Sequence, residues 1–175
     1  MAAGEMHLTP LDGFPAVRPG DALAELIVSN LRRQSLSAGG GVPVLVVAQK
    51  VVSKAEGRVV CLHDVEVSDD ALRLAKETGK DPRVVELILQ ESRSVIRVRP
   101  GLIITEHRTG HIAANAGIDA SNTGVAAETG DEVVLLWPRD PDASARKLSE
   151  TVSQALGYHV PVVINDSLGR PWRMG

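Results

Sequence analysis

Four aromatic residues in a chain of 175, set against 23 valines, are the strongest constraint on how this protein can fold. Phe14, Trp137, Tyr158 and Trp172 are the whole aromatic complement. Aromatic rings usually supply the largest single blocks of buried area. Here the core must instead be built from aliphatic, largely β-branched side chains, which favour buried strands. The length fits one domain, taken as residues 1–175, large enough to need no disulfide or metal as a staple. Hydrophobic residues make up 43% and charged residues 23%, an ordinary globular balance rather than a disordered one.

Charge and cysteine usage exclude further classes. Nineteen Lys and Arg against 22 Asp and Glu leave a formal charge of −3, which argues against a dedicated nucleic-acid binder. So few aromatics also leave little for stacking on bases. No apolar run approaches the roughly 18 residues of a membrane span, and Met1 to Glu5 show no secretory signal. The single cysteine, Cys61, excludes an intrachain disulfide and a multi-cysteine zinc site. It is expected to be a buried, inert thiol, and a reducing cytoplasm is the expected compartment.

Periodicity and punctuation predict a mixed α/β (α+β) chain. Met6–Thr9 reads as a short strand. Ala22–Arg33 reads as a helix, with Leu23, Leu26, Ile27 and Leu31 on one face. Val42–Ala48 reads as a strand buried on both faces, followed by a polar turn at 53–58 and a strand at Val59–Leu62. Ser68 caps a helix to Lys76 with Gly79 beyond it, and Asp81-Pro82 starts another. Val95–Arg99 and Leu102–Glu106 flank a turn at Pro100-Gly101. Asn115–Gly124 reads as loop and Glu132–Trp137 as strand. Asp140-Pro141 opens a helix to Leu156 whose face carries Ala145, Leu148, Val152 and Ala155, and Gly157 stops it. Val160–Ile164 is the last strand.

Standard phosphate-loop, dinucleotide, zinc-protease and hydrolase motifs are absent. Three polar segments remain, each near a predicted strand end. Gln49–Arg58 offers two lysines and an arginine, read either as a phosphate-binding loop or as a basic solvated turn. Asn115–Asn122 gathers amides, a hydroxyl and Asp119. Such oxygen donors suit magnesium or manganese, but an Asx-rich turn uses the same residues to cap its backbone. Asn165–Arg173 follows an apolar run with Asp166, Ser167, Arg170 and Arg173. It reads as a metal and phosphate site, or as a strand-terminating turn with exposed arginines. Together these groups suit metal-assisted phosphoryl transfer, and equally a phosphate-containing ligand that is only bound. His7, His63, His107, His111 and His159 show no ligand spacing.

Four stretches in order resemble the coenzyme F-420:L-glutamate ligase family, the gamma-glutamyl ligases of deazaflavin cofactor synthesis. They are Leu11–Pro15, Val51–Arg58, Asn115–Asn122 and Asp166–Arg173. The resemblance implies a homodimeric ligase of unusual α/β fold that uses GTP, magnesium or manganese, and potassium. GTP would phosphorylate the terminal carboxylate of the coenzyme precursor, and the amine of L-glutamate would then displace phosphate. By the same resemblance Asp119 and Asp166 bind a first metal and Ser167 helps bind a second. Phe14, Pro15, Ala16 and Val17 hold the nucleotide with Gln49, Lys50, Lys54 and Asn122, and Lys54 meets phosphate. Lys54, Asp119 and Asp166 are the expected catalytic residues. Arg170 and Arg173 are further candidates for phosphate or carboxylate contacts. The family continues past the equivalent of Gly175 with another acidic metal ligand and a nucleotide loop, so the chain is expected to be C-terminally incomplete. A nucleotide-binding module without turnover is the alternative reading.

Overall fold

Helix caps and tight turns, the most local of signals, fall where the residue types require them. The computed structural model describes residues 6–35, 41–119 and 132–166. Among these, α1 (Leu23–Arg33) precedes β1 (Leu45–Ala48), which runs directly into α2 (Gln49–Ala55). β2 (Val59–Cys61) leads through a short 3-10 turn to α3 (Asp69–Thr78) and α4 (Pro82–Glu91). β3 (Ser92–Arg99), β4 (Leu102–His107) and β5 (Ile112–Ala114) follow; then come β6 (Val133–Leu135), α5 (Pro141–Leu156) and β7 (Val162–Asn165). The Ser68 hydroxyl accepts from the Ala71 N–H, Asp81 from Arg83 and Asp140 from Ala143. Gly79 and Gly157 close α3 and α5 at φ +70° and +80°.

The strands form three small sheets rather than one. β1 and β7 pair in parallel from Leu45↔Val162 to Ala48↔Asn165. β2 and β6 are antiparallel, with Val59 opposite Leu135. β3, β4 and β5 make an antiparallel sheet whose first hairpin turns at Pro100-Gly101. The class is α/β mixed, as the sequence predicts. Ile27, Val47, Val52 and Val152 centre one core between α1, α2, β1 and α5. Val85, Ile88, Ile103 and Ala116 centre a second under α3 and α4. Leu62, Leu87, Val134 and Leu136 form a third, and Val84 and Ile118 pack against both of these last two. Every buried member of the three is aliphatic. Among the described residues no helix is long and apolar enough to cross a membrane.

Several sequence expectations are corrected. Met6–Thr9 forms no strand and is exposed. β1 is shorter than Val42–Ala48 and alternates, with Leu45 and Val47 inward and Val44 and Val46 outward, so it is not buried on both faces. The segment read as a turn after β1 is helix α2. Its adjacent Val51 and Val52 and missing N-cap side chain hide it, and burial of Val52 and Ser53 holds it in place. β5 is too short to show a period. Ala155 on α5 is exposed, and Leu148 and Val152 alone are that helix's buried residues.

Ile88 is fully buried in the second core. Ile88→Ala is expected to cost about 2–5 kcal/mol through lost transfer energy and a residual cavity. Urea unfolding checks this: the midpoint falls and the slope stays the same.

Candidate functional site

Three strand ends converge on the start of α2. β1 delivers Gln49 and Lys50 as the first residues of that helix. Its parallel partner β7 ends in register at Asn165, so Asp166 emerges beside them. In open α/β arrangements ligands gather at the carboxyl ends of parallel strands. β6 brings the third side of the site. Asp119 and Leu135 exchange backbone hydrogen bonds of 3.0 and 2.9 Å, fixing Asp119 on β6 two residues before Trp137.

The side chains then close the cluster. The Lys50 ammonium pairs with the Asp119 carboxylate. The Trp137 indole N–H donates to Asp166 Oδ2 at 3.0 Å. Asp119 is approached through a turn in which Asn115, Ala116 and Gly117 all have positive φ, at +52°, +52° and +69°. Left-handed backbone is unfavourable for residues that carry a Cβ. Here the turn is held by the Ile118 N–H on the Asn115 carbonyl at 3.0 Å and by complete burial of Ala116. Gly117 has a second reason to be glycine: a Cβ there would lie 2.2 Å from the Trp137 ring.

Beneath the cluster runs a polar network that the sequence reading did not identify. Arg58 Nε donates to the Trp137 carbonyl at 2.8 Å, and Arg58 Nη2 donates to Glu91 Oε2 at 2.6 Å. His107, almost fully buried, packs at a tilt against Trp137 with 4.8 Å between ring centres, and His111 meets the same ring edge-on at 5.9 Å. The Thr109 N–H donates to His107 Nδ1 at 3.1 Å, which leaves the ring proton on Nε2, facing Glu91 at 3.5 Å. That separation is long for a hydrogen bond, so the Arg58 contact is the firmer one. Burial pushes the Glu91 carboxyl up, but the His107 ring beside it and the hydrogen-bonded, charged Arg58 outweigh this and hold it below its usual value. Arg58 lies inside the basic segment read from the sequence. Glu91 and His107 carried no signal there, because their partners are remote in sequence.

The expected site residues separate into groups. Asp119, Lys50 and Asp166 are brought together around Trp137. Gln49 is buried, and its amide donates to Ser53 Oγ at 2.6 Å, so its side chain faces the interior. Lys54 is one helical turn beyond Lys50 and shares its side of α2. Phe14, Pro15, Ala16 and Val17 lie near that far end, where the Gly20 N–H donates to the Ala55 carbonyl at 3.0 Å. Phe14 and Val17 pack on the first core; Pro15 and Ala16 are exposed. Asn122, Ser167, Arg170 and Arg173 lie outside the described residues. Among the described residues, no three His, Cys, Asp or Glu side chains gather as a metal site. Cys61 is a free thiol on β2, only partly buried.

A family model described as F420-0:gamma-glutamyl ligase matches residues 13–175. The coenzyme F420:L-glutamate ligase of Methanopyrus kandleri is 50% identical over 170 residues, covering 97% of this chain and 63% of the relative. The enzymes of the same name from Methanothermobacter thermautotrophicus and Archaeoglobus fulgidus are 42% and 40% identical over the same share of the chain, covering 65% and 63% of their own lengths. The chain thus spans just under two thirds of the length of these curated relatives.

The depressed carboxyl of Glu91 sets a pH dependence. A group whose folded value is lowered contributes stability that is complete above its unfolded value of 4.5 and is lost as pH falls through the folded value. Glu91→Gln is therefore expected to destabilise the protein most near neutral pH, and the gap to wild type should shrink below about pH 4.5. Urea unfolding of both proteins across that range measures the gap.

Proposed function

The chain belongs to the F420-0:gamma-glutamyl ligase family, and we propose that it joins L-glutamate to the coenzyme F420 precursor, using GTP and a divalent metal ion. The observation that supports this most is the convergence of Lys50, Asp119 and Asp166 at the ends of β1, β6 and β7. The donor chemistry fits a magnesium or manganese ion, and potassium is a further cofactor in this proposal. Carboxylate oxygens are hard donors, and Asp119 already holds a cationic group, the Lys50 ammonium. Asp119 and Asp166 would hold the metal, with Ser167 contributing to a second site. A bound divalent ion neutralises phosphate charge in phosphoryl transfer.

A free carboxylate is a poor electrophile, so amide formation needs activation. In the proposed reaction a carboxylate oxygen of the precursor attacks the γ-phosphorus of GTP, and the bond to the β-phosphate oxygen breaks. The amine of L-glutamate then attacks the acyl carbon. Phosphate leaves with the carbon–oxygen bond electrons, the amine loses a proton, and an amide remains. Lys50 and Lys54 share one side of α2 and supply positive charge along it, with Lys54 meeting phosphate. The Phe14–Val17 segment lies near the other end of the same helix, roughly 10 Å from its start at 1.5 Å per residue, within reach of an extended nucleotide. It would hold the nucleotide there. A homodimer in the cytoplasm is part of the same proposal.

Asp119→Asn and Asp166→Asn are each expected to abolish metal-dependent GTP binding while circular dichroism stays that of wild type. A mass-spectrometric assay with GTP, manganese, L-glutamate and the glutamate-free precursor is expected to give a product heavier by one glutamyl unit. Binding with no product would mark a nucleotide-binding module; neither binding nor product would sink the proposal for this chain.

A further inference from the structure

We infer that Trp137 is a positioning residue: its indole N–H aims the Asp166 carboxylate for the metal ion. The inference rests on the proposed role of Asp166 as a ligand and adds a residue that orients it. Trp137 is the one aromatic side chain among the buried hydrophobic residues described, and the buried members of the three cores are all aliphatic. Its ring joins none of those cores. It meets His107 and His111 and lies over Gly117, and its single polar atom donates to Asp166 Oδ2 at 3.0 Å.

The donor's position is fixed from several sides. Arg58 Nε holds the Trp137 carbonyl at 2.8 Å, and Glu91 holds Arg58 at 2.6 Å. A Cβ at Gly117 would meet three atoms of the indole between 2.2 and 2.5 Å, one of them Nε1. Asp166 is an exposed residue one position past the end of β7. The fixed indole N–H therefore constrains how one oxygen of that carboxylate is presented. A hydrogen bond to one oxygen of a ligating carboxylate fixes how that group presents its lone pairs, and loss of such an outer partner typically costs 10–100-fold in metal affinity. A ring that merely filled space would be replaced by phenylalanine without consequence for the ion.

The test compares Trp137→Phe and Asp166→Ala in the 175-residue chain, reading manganese affinity from the electron paramagnetic resonance of the free ion. Trp137→Phe keeps most of the ring and removes the donor; about 10–100-fold weaker manganese binding is expected, with melting temperature close to wild type. Asp166→Ala is expected to lose binding altogether. The second readout is the indole resonance of 15N-labelled wild type. The chain has two tryptophans, and Trp172→Phe leaves the Trp137 peak alone; that peak should move as magnesium is added. Should Trp137→Phe not fold, this resonance decides. Wild-type manganese affinity in a folded Trp137→Phe, or an indole peak indifferent to magnesium, overturns the inference while loss of binding in Asp166→Ala upholds the ligand. Unchanged binding in Asp166→Ala removes the proposed role of Asp166, and this inference with it.

Discussion

Arg58 is the joint on which the arrangement depends. Its backbone N–H donates to Ser53 at the end of α2, at 2.9 Å, and its carbonyl accepts from Leu136 just past β6, at 3.0 Å. Its side chain reaches the Trp137 carbonyl and the Glu91 carboxylate. One residue thus ties the first core, through α2, to β6 and to the last residue of α4. The planar guanidinium makes this possible, since its donors are fixed in direction and can serve two acceptors at once. Both partners of the ion pair are largely buried. Removing one partner of such a pair strands a charge, which typically costs about 3–5 kcal/mol.

The Asn115–Gly117 turn stands at the opposite pole. Arg58 is held by backbone and side-chain contacts together, whereas the turn keeps two residues with a Cβ at positive φ, a conformation worth about 1–3 kcal/mol of strain each. Burial of Ala116 in the second core and the Asp119–Leu135 exchange hold it there. The result is a close approach of backbone to the Trp137 ring at Gly117. Strain, a missing Cβ and a buried ring coincide within the four residues before Asp119 and the ring that they approach.

Legibility in the sequence followed the range of the interactions. Ser68, Asp81, Pro82, Asp140 and Gly157 act on neighbours one to four residues away, so the helices they bound could be read directly. The aliphatic core was legible from composition alone. α2 was not, since a seven-residue helix with adjacent valines has no intrinsic signal and depends on packing. The alternation of β1 was masked by Val44 and Val46, apolar residues that the fold leaves exposed. At the site, Asp119, Asp166 and Lys50 could be singled out from their local company. Trp137 read only as the end of a strand, and its indole bond spans 29 residues of sequence. Glu91 and His107 acquire meaning only once Arg58 and Trp137 are beside them.

The two ion pairs near the site differ in a way that separates framework from function. Arg58 and Glu91 are shielded, with side chains 11% and 14% exposed, and each is fastened by further contacts. Lys50 and Asp119 are more open, at 43% and 24%. A solvated pair is worth about 0–1 kcal/mol, because water competes for both charges. The Lys50–Asp119 contact therefore adds little to stability, while the Arg58–Glu91 contact is costly to break. Asp119 is held by backbone on β6, and its carboxylate is paired with Lys50 at the more open of these two positions. The buried pair keeps Trp137 and the strand ends fixed beneath it.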